Sequence, residues 1–336
     1  MSQSKKIAVN NYTLRISTTS ACNLNCSYCN PNRDVDCKKD MTDQDIIEII
    51  QAGVAAGVRK VSWTGGEPTV RKNFLQLVAK AKKLGIEKQS MTTNGILFYK
   101  IGSKLKKAGL TKVNFSLDTL TRENYRKICR YDGFDLVKKS IKKALELYPQ
   151  VKVNCVIMKD NIGIIDEFVK FGETFNGRLI IRFLEVVPCG EIYEKDKNIF
   201  KSSFVPMKKI IAELEKYGKL KPVKIVGDVP KSKYYHISGL TGIYGVNPNY
   251  SVNYCCDKNK CPKIRVNPQG FVSNCTIQLK YVRDFRNKSL EEKIELMKEI
   301  VKEKAGRNYK GFTHRQKYYD FWRFGNKPEY IEKKFK

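Results

Sequence analysis

Histidine and acidic residues are scarce in this chain, and long hydrophobic runs are absent. Only two of the 336 residues are histidines, His236 and His314, and neither belongs to a recognisable ligand motif. This counts against a zinc finger, which is built from paired Cys or His ligands. No segment approaches the length of about 20 apolar residues that a membrane-spanning helix needs. The first residues lack the apolar core of a secretory signal, so we predict a cytoplasmic protein.

The shortage of acidic residues leaves a formal net charge of +30, from 64 Lys and Arg against 34 Asp and Glu. A basic surface suits an anionic partner such as nucleic acid, a membrane or a nucleotide. However, the lysines are spread over predicted helix faces. No segment interleaves basic residues with aromatic ones as single-strand binders do. We therefore expect a solvated, lysine-rich surface with no specific nucleic-acid partner and no membrane contact.

Three of the eleven cysteines stand close together near the start of the chain. Cys22, Cys26 and Cys29 are separated by three and by two residues, and Tyr28 precedes the last of them. Three thiolates on one loop can bind three irons of a 4Fe–4S cluster and leave the fourth iron open, whereas closed clusters normally use four cysteines. A zinc knuckle or a disulfide pair is the alternative. The charged surroundings of Cys37 and the length of the chain count against both.

This loop resembles the cluster-binding loop of the radical SAM superfamily. The resemblance implies that Cys22, Cys26 and Cys29 are the metal ligands and the catalytic centre. It also implies that the open iron binds S-adenosylmethionine (SAM). An electron from the cluster would then cleave SAM to a 5'-deoxyadenosyl radical, with the protein providing binding and orientation.

Two glycines and a glutamate follow the second predicted strand. These residues are Gly65, Gly66 and Glu67, and the two glycines let the backbone approach a ligand closely. In this context we expect them to bind the methionyl ammonium of SAM, with Ser116 at its carboxylate and Tyr28 at its adenine. The simpler alternatives are an ordinary turn, a strand-end serine and a packed aromatic ring.

Short β-rich segments alternate with amphipathic helical patterns over the first two thirds of the chain. Six such units predict an α/β fold, a partial (β/α)6 barrel of radical SAM type, with the chemistry at the carboxyl ends of its strands. We predict this barrel for residues 1–205 and a smaller C-terminal module for 206–336. The predicted strands are 12–17, 58–63, 88–93, 112–117, 151–157 and 179–184. The predicted helices are 43–56, 73–84, 102–108, 122–129, 135–148, 164–175, 206–217, 289–303 and 313–322.

A second group of cysteines lies in the predicted C-terminal module. Cys261 and Cys275 flank a predicted hairpin with a turn at 267–270, which brings both thiols near Cys256. We predict that these three bind an auxiliary 4Fe–4S cluster, with a zinc site as the alternative. Whether Cys255 also binds decides between an open cluster that could hold a substrate and a closed one.

A narrower resemblance extends from Arg15 to Cys275. Six segments resemble the GTP 3',8-cyclases of molybdenum cofactor biosynthesis: LRISTTSAC (14–22), KVSWTGGEP (60–68), TTNG (92–95), AGLTKVNFSLDTL (108–120), VKVN (151–154) and IRFLE (181–185). The resemblance implies two 4Fe–4S clusters and SAM as cofactors, and GTP as the substrate. It implies that the radical abstracts the ribose 3' hydrogen and that the sugar radical attacks C8 of guanine. An electron donor such as flavodoxin or ferredoxin is then needed, and a homodimer is left open.

The same resemblance names the residues that would bind the nucleotide and its triphosphate. They are Arg15, Lys60, Thr92, Lys152, Arg182, Lys263 and Arg265. Arg offers forked contacts to phosphate and Lys a point charge, so the residue types suit the ligand. Salt bridges that line the barrel are the alternative.

The chain also departs from the family pattern. Ser62 and Lys263 stand where the family has arginine, Val187 replaces a methionine, and four residues rather than two separate Cys256 from Cys261. The family's Gly-Gly terminus is absent. A paralogue that acts on another nucleotide therefore stays open, as does a radical SAM maturase of a ribosomal peptide. The maturase would need a leader-binding module, and the segment before Tyr12 is too short for one.

Overall fold

The computed structural model describes residues 9–29, 40–186, 201–225, 232–248, 262–274 and 282–305. Over these ranges the chain forms twelve strands and eight α-helices with both ends described, and residues 201–203 are helical as well. The strands are β1 (Thr13–Ser17), β2 (Lys60–Thr64), β3 (Lys88–Thr93), β4 (Lys112–Ser116), β5 (Val151–Ile157), β6 (Leu179–Glu185), β7 (Leu220–Val223), β8 (Lys233–Ile237), β9 (Ile243–Asn247), β10 (Lys263–Val266), β11 (Phe271–Ser273) and β12 (Arg283–Asp284). The helices are α1 (Asp43–Ala55), α2 (Phe74–Lys83), α3 (Phe98–Ala108), α4 (Arg122–Cys129), α5 (Phe134–Leu147), α6 (Ile164–Glu173), α7 (Met207–Glu215) and α8 (Leu290–Ala305).

The predicted partial barrel is confirmed. Strands β1 to β6 pair in chain order, each parallel to the next, and helices connect them. Alternate residues of each strand are apolar and fully buried beneath the helices, as Trp63, Phe115 and Phe183 are. The residues between them are mostly polar and lie on the opposite face. This alternation makes one face of the sheet the core and the other the lining of the barrel.

One packing contact and one local turn adjust the predicted ends of two elements. Helix α3 begins at Phe98 rather than at 102, and the Phe98 ring packs edge-on against Phe115, 5.2 Å away. Strand β2 begins at Lys60 rather than at 58, because the Val58 amide donates to Gly53 O at 2.8 Å and so closes the turn after α1. A third boundary, the start of α1, follows the sequence signal, since Thr42 and Asp45 form a capping box.

The later strands extend both edges of this sheet. Strand β10 pairs parallel to β1, and β9 pairs parallel to β6, so the complete order is β12-β11-β10-β1-β2-β3-β4-β5-β6-β9-β8-β7. The predicted hairpin is confirmed between β10 and β11, where the Asn267 amide donates to Phe271 O at 3.0 Å. The sequence also predicts short strands near 221–226 and 243–246, where β7 and β9 lie, whereas β8 and β12 are additions to the prediction. The division at 205/206 stays a prediction, and the predicted helix 313–322 lies outside the described residues.

Helix α8 packs against α1 beside the β10–β11 hairpin. Lys293 of α8 is buried and donates to Glu48 of α1 at 2.5 Å. At the end of the same helix, Lys304 donates to the carbonyl of Asn274 at 2.7 Å. Helix α8 therefore joins the hairpin to the first helix of the barrel. Among the described helices, none is both long and apolar enough to cross a membrane.

Candidate active site

The three-cysteine loop lies beyond the carboxyl end of β1. Cys22 and Cys26 are half-buried, Cys29 is buried, and all three are free thiols. Within the described residues, no three His, Cys, Asp or Glu side chains lie close enough together to hold one metal ion. A 4Fe–4S cluster does not require such convergence, because each thiolate binds a different iron.

Backbone hydrogen bonds hold this loop against the end of α4. The Ser27 amide donates to Ile128 O at 2.8 Å, and the Asn25 amide donates to Cys129 O at 3.3 Å. A tight turn follows, in which the Cys29 amide donates to Cys26 O at 3.0 Å. Helix α4 thus uses its last carbonyl groups to fix the loop that carries the thiols.

The surroundings of Cys22 suit a thiol that binds a cation. Burial raises its pKa to about 12, and the neighbouring Glu67, Cys29 and Cys26 contribute to the rise. The Leu24 amide, 3.5 Å from Cys22 Sγ, acts in the opposite direction. Iron binding favours the thiolate and reverses such a shift, and three thiols on one loop are the donor set that a 4Fe–4S cluster uses.

The glycines after β2 lie directly on the segment that leads to Cys22. A Cβ atom on Gly65 would lie 2.6 Å from Thr19 O, and one on Gly66 would lie 2.1 Å from Ala21 O. The Gly66 amide donates to Thr19 O at 2.8 Å. Only glycine fits this contact, and Gly65 also has a φ of 151°. The turn therefore packs its backbone against the segment that leads to the cysteine loop, and its predicted contact with SAM stays a prediction.

The Glu67 carboxylate connects the turns after β2 and β3. It is buried and accepts hydrogen bonds from Thr69 Oγ1 at 2.6 Å, Thr93 Oγ1 at 2.8 Å and the Asn94 amide at 2.7 Å. Burial raises its pKa, although these donors act against the rise. Asn94 in turn donates to Asn23 in the cysteine loop at 2.7 Å. Glu67 therefore supports the loop from below, and its predicted contact with SAM stays a prediction.

Asp118 connects the cysteine loop to β5. Its Oδ2 accepts a hydrogen bond from Tyr28 Oη at 2.5 Å, and its Oδ1 accepts one from the Val156 amide at 2.7 Å. Burial raises the pKa of Tyr28, and Asp118 raises it further. The position of Asp118 two residues after Ser116 was the only sequence signal for this role. Tyr28 is thus held at the loop end where the adenine of SAM is predicted.

A second support was not predicted from sequence. Arg71 donates to Thr18 O at 2.5 Å and to Met41 O at 2.8 Å, and it forms an ion pair with Asp43 at 2.6 Å. Nearby, Asp40 accepts a hydrogen bond from the Ser20 amide at 2.8 Å. These contacts fasten the chain on both sides of the segment that contains the cysteines. Sequence alone offered no signal, because the partners are up to 53 positions apart.

The strand register places the predicted substrate residues on one face of the sheet. Arg15 is opposite Arg265 on one side and Ser62 on the other. Asn154 is opposite both Ser116 and Arg182. Directly paired residues point to the same side of a sheet, and so do residues two apart. All eight predicted strand residues share the polar face: Arg15, Lys60, Thr92, Ser116, Lys152, Arg182, Lys263 and Arg265.

Lys60 begins this polar face at the amino end of β2. It donates to Asn11 Oδ1 at 2.7 Å and lies opposite Lys88 of β3. Burial lowers the pKa of Lys60, and the positive charge of Lys88 lowers it further. Lys263 lies in the same cross-strand row, opposite Thr13. Cations therefore collect at the amino end of the barrel lining.

Lys152 and Arg182 form a second group of cations, farther along the sheet. Arg182 Nε and Nη2 donate to Asn154 Oδ1 at 2.8 and 2.6 Å. Lys152 Nζ donates to Tyr234 Oη at 3.2 Å, and Arg182 Nη1 reaches the same oxygen at 3.5 Å. Sequence analysis did not assign Tyr234, which comes from β8.

The predicted auxiliary-cluster ligands Cys256, Cys261 and Cys275 lie outside the described residues, as does Cys255. The hairpin between them is described as far as Asn274. Asn274 Nδ2 donates to Glu303 of α8 at 3.1 Å, and its carbonyl accepts from Lys304. The chain is thus anchored one residue before Cys275.

Comparisons with known proteins identify the family to which this chain belongs. The sequence pattern of the Radical SAM superfamily matches residues 16–172. The chain is 34% identical over 269 residues to a probable GTP 3',8-cyclase of Pyrococcus horikoshii, covering 79% of this chain and 83% of the relative. It is 35% identical over 301 residues to the GTP 3',8-cyclase of Clostridium perfringens, covering 87% of this chain and 90% of the relative.

Some relatives are much longer. The molybdenum cofactor biosynthesis protein moc-5 of Caenorhabditis elegans is 36% identical over 78% of this chain, but the chain spans only 43% of that protein. Among solved structures, Streptococcus suis SuiB bound to S-adenosylmethionine gives a TM-score of 0.55 at 17% identity, covering 83% of this chain and 62% of SuiB. At this identity the likeness shows the fold alone.

Proposed function

Because the chain belongs to the radical SAM superfamily and, within it, to the family of GTP 3',8-cyclases, we propose that it cyclises GTP in molybdenum cofactor biosynthesis. The cofactors of this enzyme family, SAM and 4Fe–4S clusters, are those predicted from the sequence. When bound, the open cluster and SAM supply a 5'-deoxyadenosyl radical that abstracts hydrogen. The residues that would hold the cluster are Cys22, Cys26 and Cys29.

The collection of cations on the barrel lining carries this proposal. Six of them lie on one face of the sheet, where like charges on neighbouring strands repel each other: Arg15, Lys60, Lys152, Arg182, Lys263 and Arg265. A triphosphate brings several negative charges and many acceptor oxygens, which offset this repulsion. Arginine and lysine are the residue types that bind phosphate best.

The distances along the strands suit a nucleotide that lies lengthwise in the barrel. Lys60 begins β2 and Gly65 follows its last residue, five positions later, which corresponds to about 16 Å at roughly 3.3 Å per residue. The phosphates would bind the cations of this lining, from Lys60 and Arg15 near the amino end to Lys152 and Arg182 on β5 and β6. The ribose would then lie between them and the SAM held by Gly65, Gly66, Ser116 and Tyr28. In this arrangement the protein aligns the hydrogen to be abstracted with the radical source.

Two further parts of the proposal concern residues and partners beyond this lining. The auxiliary 4Fe–4S cluster would bind the guanine base, and its ligands would be Cys256, Cys261 and Cys275. A low-potential carrier of the flavodoxin or ferredoxin type would supply the electron that starts the reaction. A homodimer stays a prediction.

The test is turnover of protein that has been reconstituted without oxygen. Incubation with SAM, dithionite and GTP should form 5'-deoxyadenosine together with an isomer of GTP, or its pterin derivative, both measured by mass spectrometry. Cys26→Ala should form neither product, and ATP should not replace GTP. SAM cleavage that does not depend on GTP would contradict the cyclase proposal and favour a paralogue with another substrate.

A further inference from the structure

We infer that Tyr234 is a positioning residue that holds Lys152 and Arg182 for the triphosphate of the substrate. The inference rests on the proposed function, in which these two cations bind phosphate. Tyr234 is buried and comes from β8, a strand outside the six βα units of the barrel. Its role is to hold two cations from different strands around one point of the lining.

The contacts of the phenol place it between both cations. Lys152 Nζ donates to Tyr234 Oη at 3.2 Å and lies 4.9 Å from the centre of its ring. Arg182 Nη1 is 3.5 Å from the same oxygen, while its other nitrogens are held by Asn154. One hydroxyl oxygen and one ring therefore receive both positive groups, which otherwise repel each other.

The fold includes a glycine that makes this arrangement possible. Gly245 of β9 is paired with Tyr234 on one side and with Arg182 on the other. A Cβ atom on Gly245 would lie 2.6 Å from Tyr234 Cε1 and 3.2 Å from Arg182 Cγ. The ring of Tyr234 thus crosses β9 through the space that a side chain at 245 would fill. Any larger residue would push the phenol away from the cations.

This geometry predicts an effect on phosphate binding alone. A hydroxyl that accepts hydrogen bonds from two cations is polarised, so it is a good donor to an anionic oxygen beside them. Its removal leaves Lys152 and Arg182 in place but less well oriented. Binding of the guanosine part and of SAM does not involve this hydroxyl. A change at Tyr234 should therefore weaken the binding of a ligand more, the more phosphate groups that ligand carries.

The experiment measures equilibrium binding to the full reconstituted chain without oxygen. Tyr234→Phe should weaken the binding of GTP about tenfold, because a hydrogen bond to charged groups is lost. The affinities for guanosine and SAM should not change. Inorganic tripolyphosphate, used as a competitor without a base, should lose affinity by the same factor as GTP. Gly245→Ala should reproduce this pattern, since its new methyl group displaces the ring.

Tyr235→Phe is the matched control, because it removes a hydroxyl from the other face of the same strand, where Tyr235 packs on the main core. It should leave the affinity for GTP unchanged. Equal affinities of Tyr234→Phe and the unaltered chain for GTP and tripolyphosphate would overturn the inference alone. An equal loss for guanosine would also overturn it, by showing a general structural effect. Failure of the unaltered chain to bind GTP, with tripolyphosphate binding still sensitive to Tyr234, would overturn the proposed function and retain the phosphate role.

Discussion

At the scale of single residues, buried polar side chains hold the cysteine loop in place. Asp118 and Glu67 each join segments that are distant in sequence. A buried acceptor of this kind is costly to remove, because the donors it satisfied lose their partners. The effect of such a change should therefore appear in cluster binding as well as in stability.

Asp118→Ala should reduce both the binding of the cluster and the stability of the fold. The Val156 amide and the Tyr28 hydroxyl would lose their acceptor, which we expect to cost about 1–3 kcal/mol of folding free energy. The loop would also lose its link to β5, so the reconstituted protein should contain less iron. Denaturant unfolding and iron analysis without oxygen measure the two effects. The exposed Asp160→Ala serves as control, and equal iron contents in the two variants would argue against this role of Asp118.

Gly66→Ala should be among the most damaging single methyl additions in the chain. The new Cβ would lie 2.1 Å from Ala21 O, so the backbone on one side or the other must move. We expect loss of stability and loss of SAM binding, measured by thermal unfolding and by equilibrium dialysis. Gly163→Ala adds the same methyl group where nothing lies within 4 Å, and it should behave as the unaltered protein does. Normal SAM binding by Gly66→Ala would refute the close contact described above.

At the scale of elements, the packing of α8 on α1 includes one partly buried ion pair, between Lys293 and Glu48. The hydrogen bond from Lys293 lowers the pKa of Glu48, with a contribution from Gln44. A carboxyl with a lowered pKa stabilises the fold above its ordinary value of 4.5, and this contribution is lost as the pH falls through the lowered value. At neutral pH the pair is therefore fully formed.

Glu48→Gln should destabilise the protein by about 2 kcal/mol, because among the described acidic residues it leaves the buried Lys293 with the more distant Asp45, 3.9 Å away. The double variant Glu48→Gln/Lys293→Met should regain much of the lost stability, since the charge of the buried Lys293 is then gone. Denaturant unfolding of the two variants at neutral pH tests this. A double variant that is less stable than Glu48→Gln would show that the lysine contributes mainly through other contacts.

At the scale of the whole molecule, the net charge of +30 should make substrate binding sensitive to salt. Salt screens the attraction between an anionic nucleotide and a cationic barrel. Raising the ionic strength from about 0.05 M to about 0.5 M should weaken GTP binding by roughly five- to tenfold. SAM, which carries a positive sulfonium, provides the internal control. Equal weakening of both ligands would exclude a specific role for the cationic lining.

Much of this architecture could be predicted from local sequence patterns. Short runs of β-branched and apolar residues predicted β3 and β5 with their correct ends, and the helical periodicity predicted α4 in the same way. The spacing of Cys22, Cys26 and Cys29 predicted the class of chemistry, because those ligands are neighbours in the chain. Such features depend on residues a few positions apart, whose relation is already set by the backbone geometry of a strand, helix or short loop.

Other features were decided by the tertiary structure alone. The strand register brought the cations of β1, β2, β5, β6 and β10 to one face. The pairing of β9 with β6 brought Tyr234 to Lys152 across 82 positions, and the contact of Asp118 with Tyr28 spans 90. No local pattern contains this information, since it arises from how strands pair and from the space that Gly245 leaves open. The sequence by itself thus determined the cofactor chemistry and the repeating βα units, whereas the folded chain decided which side chains meet around the substrate.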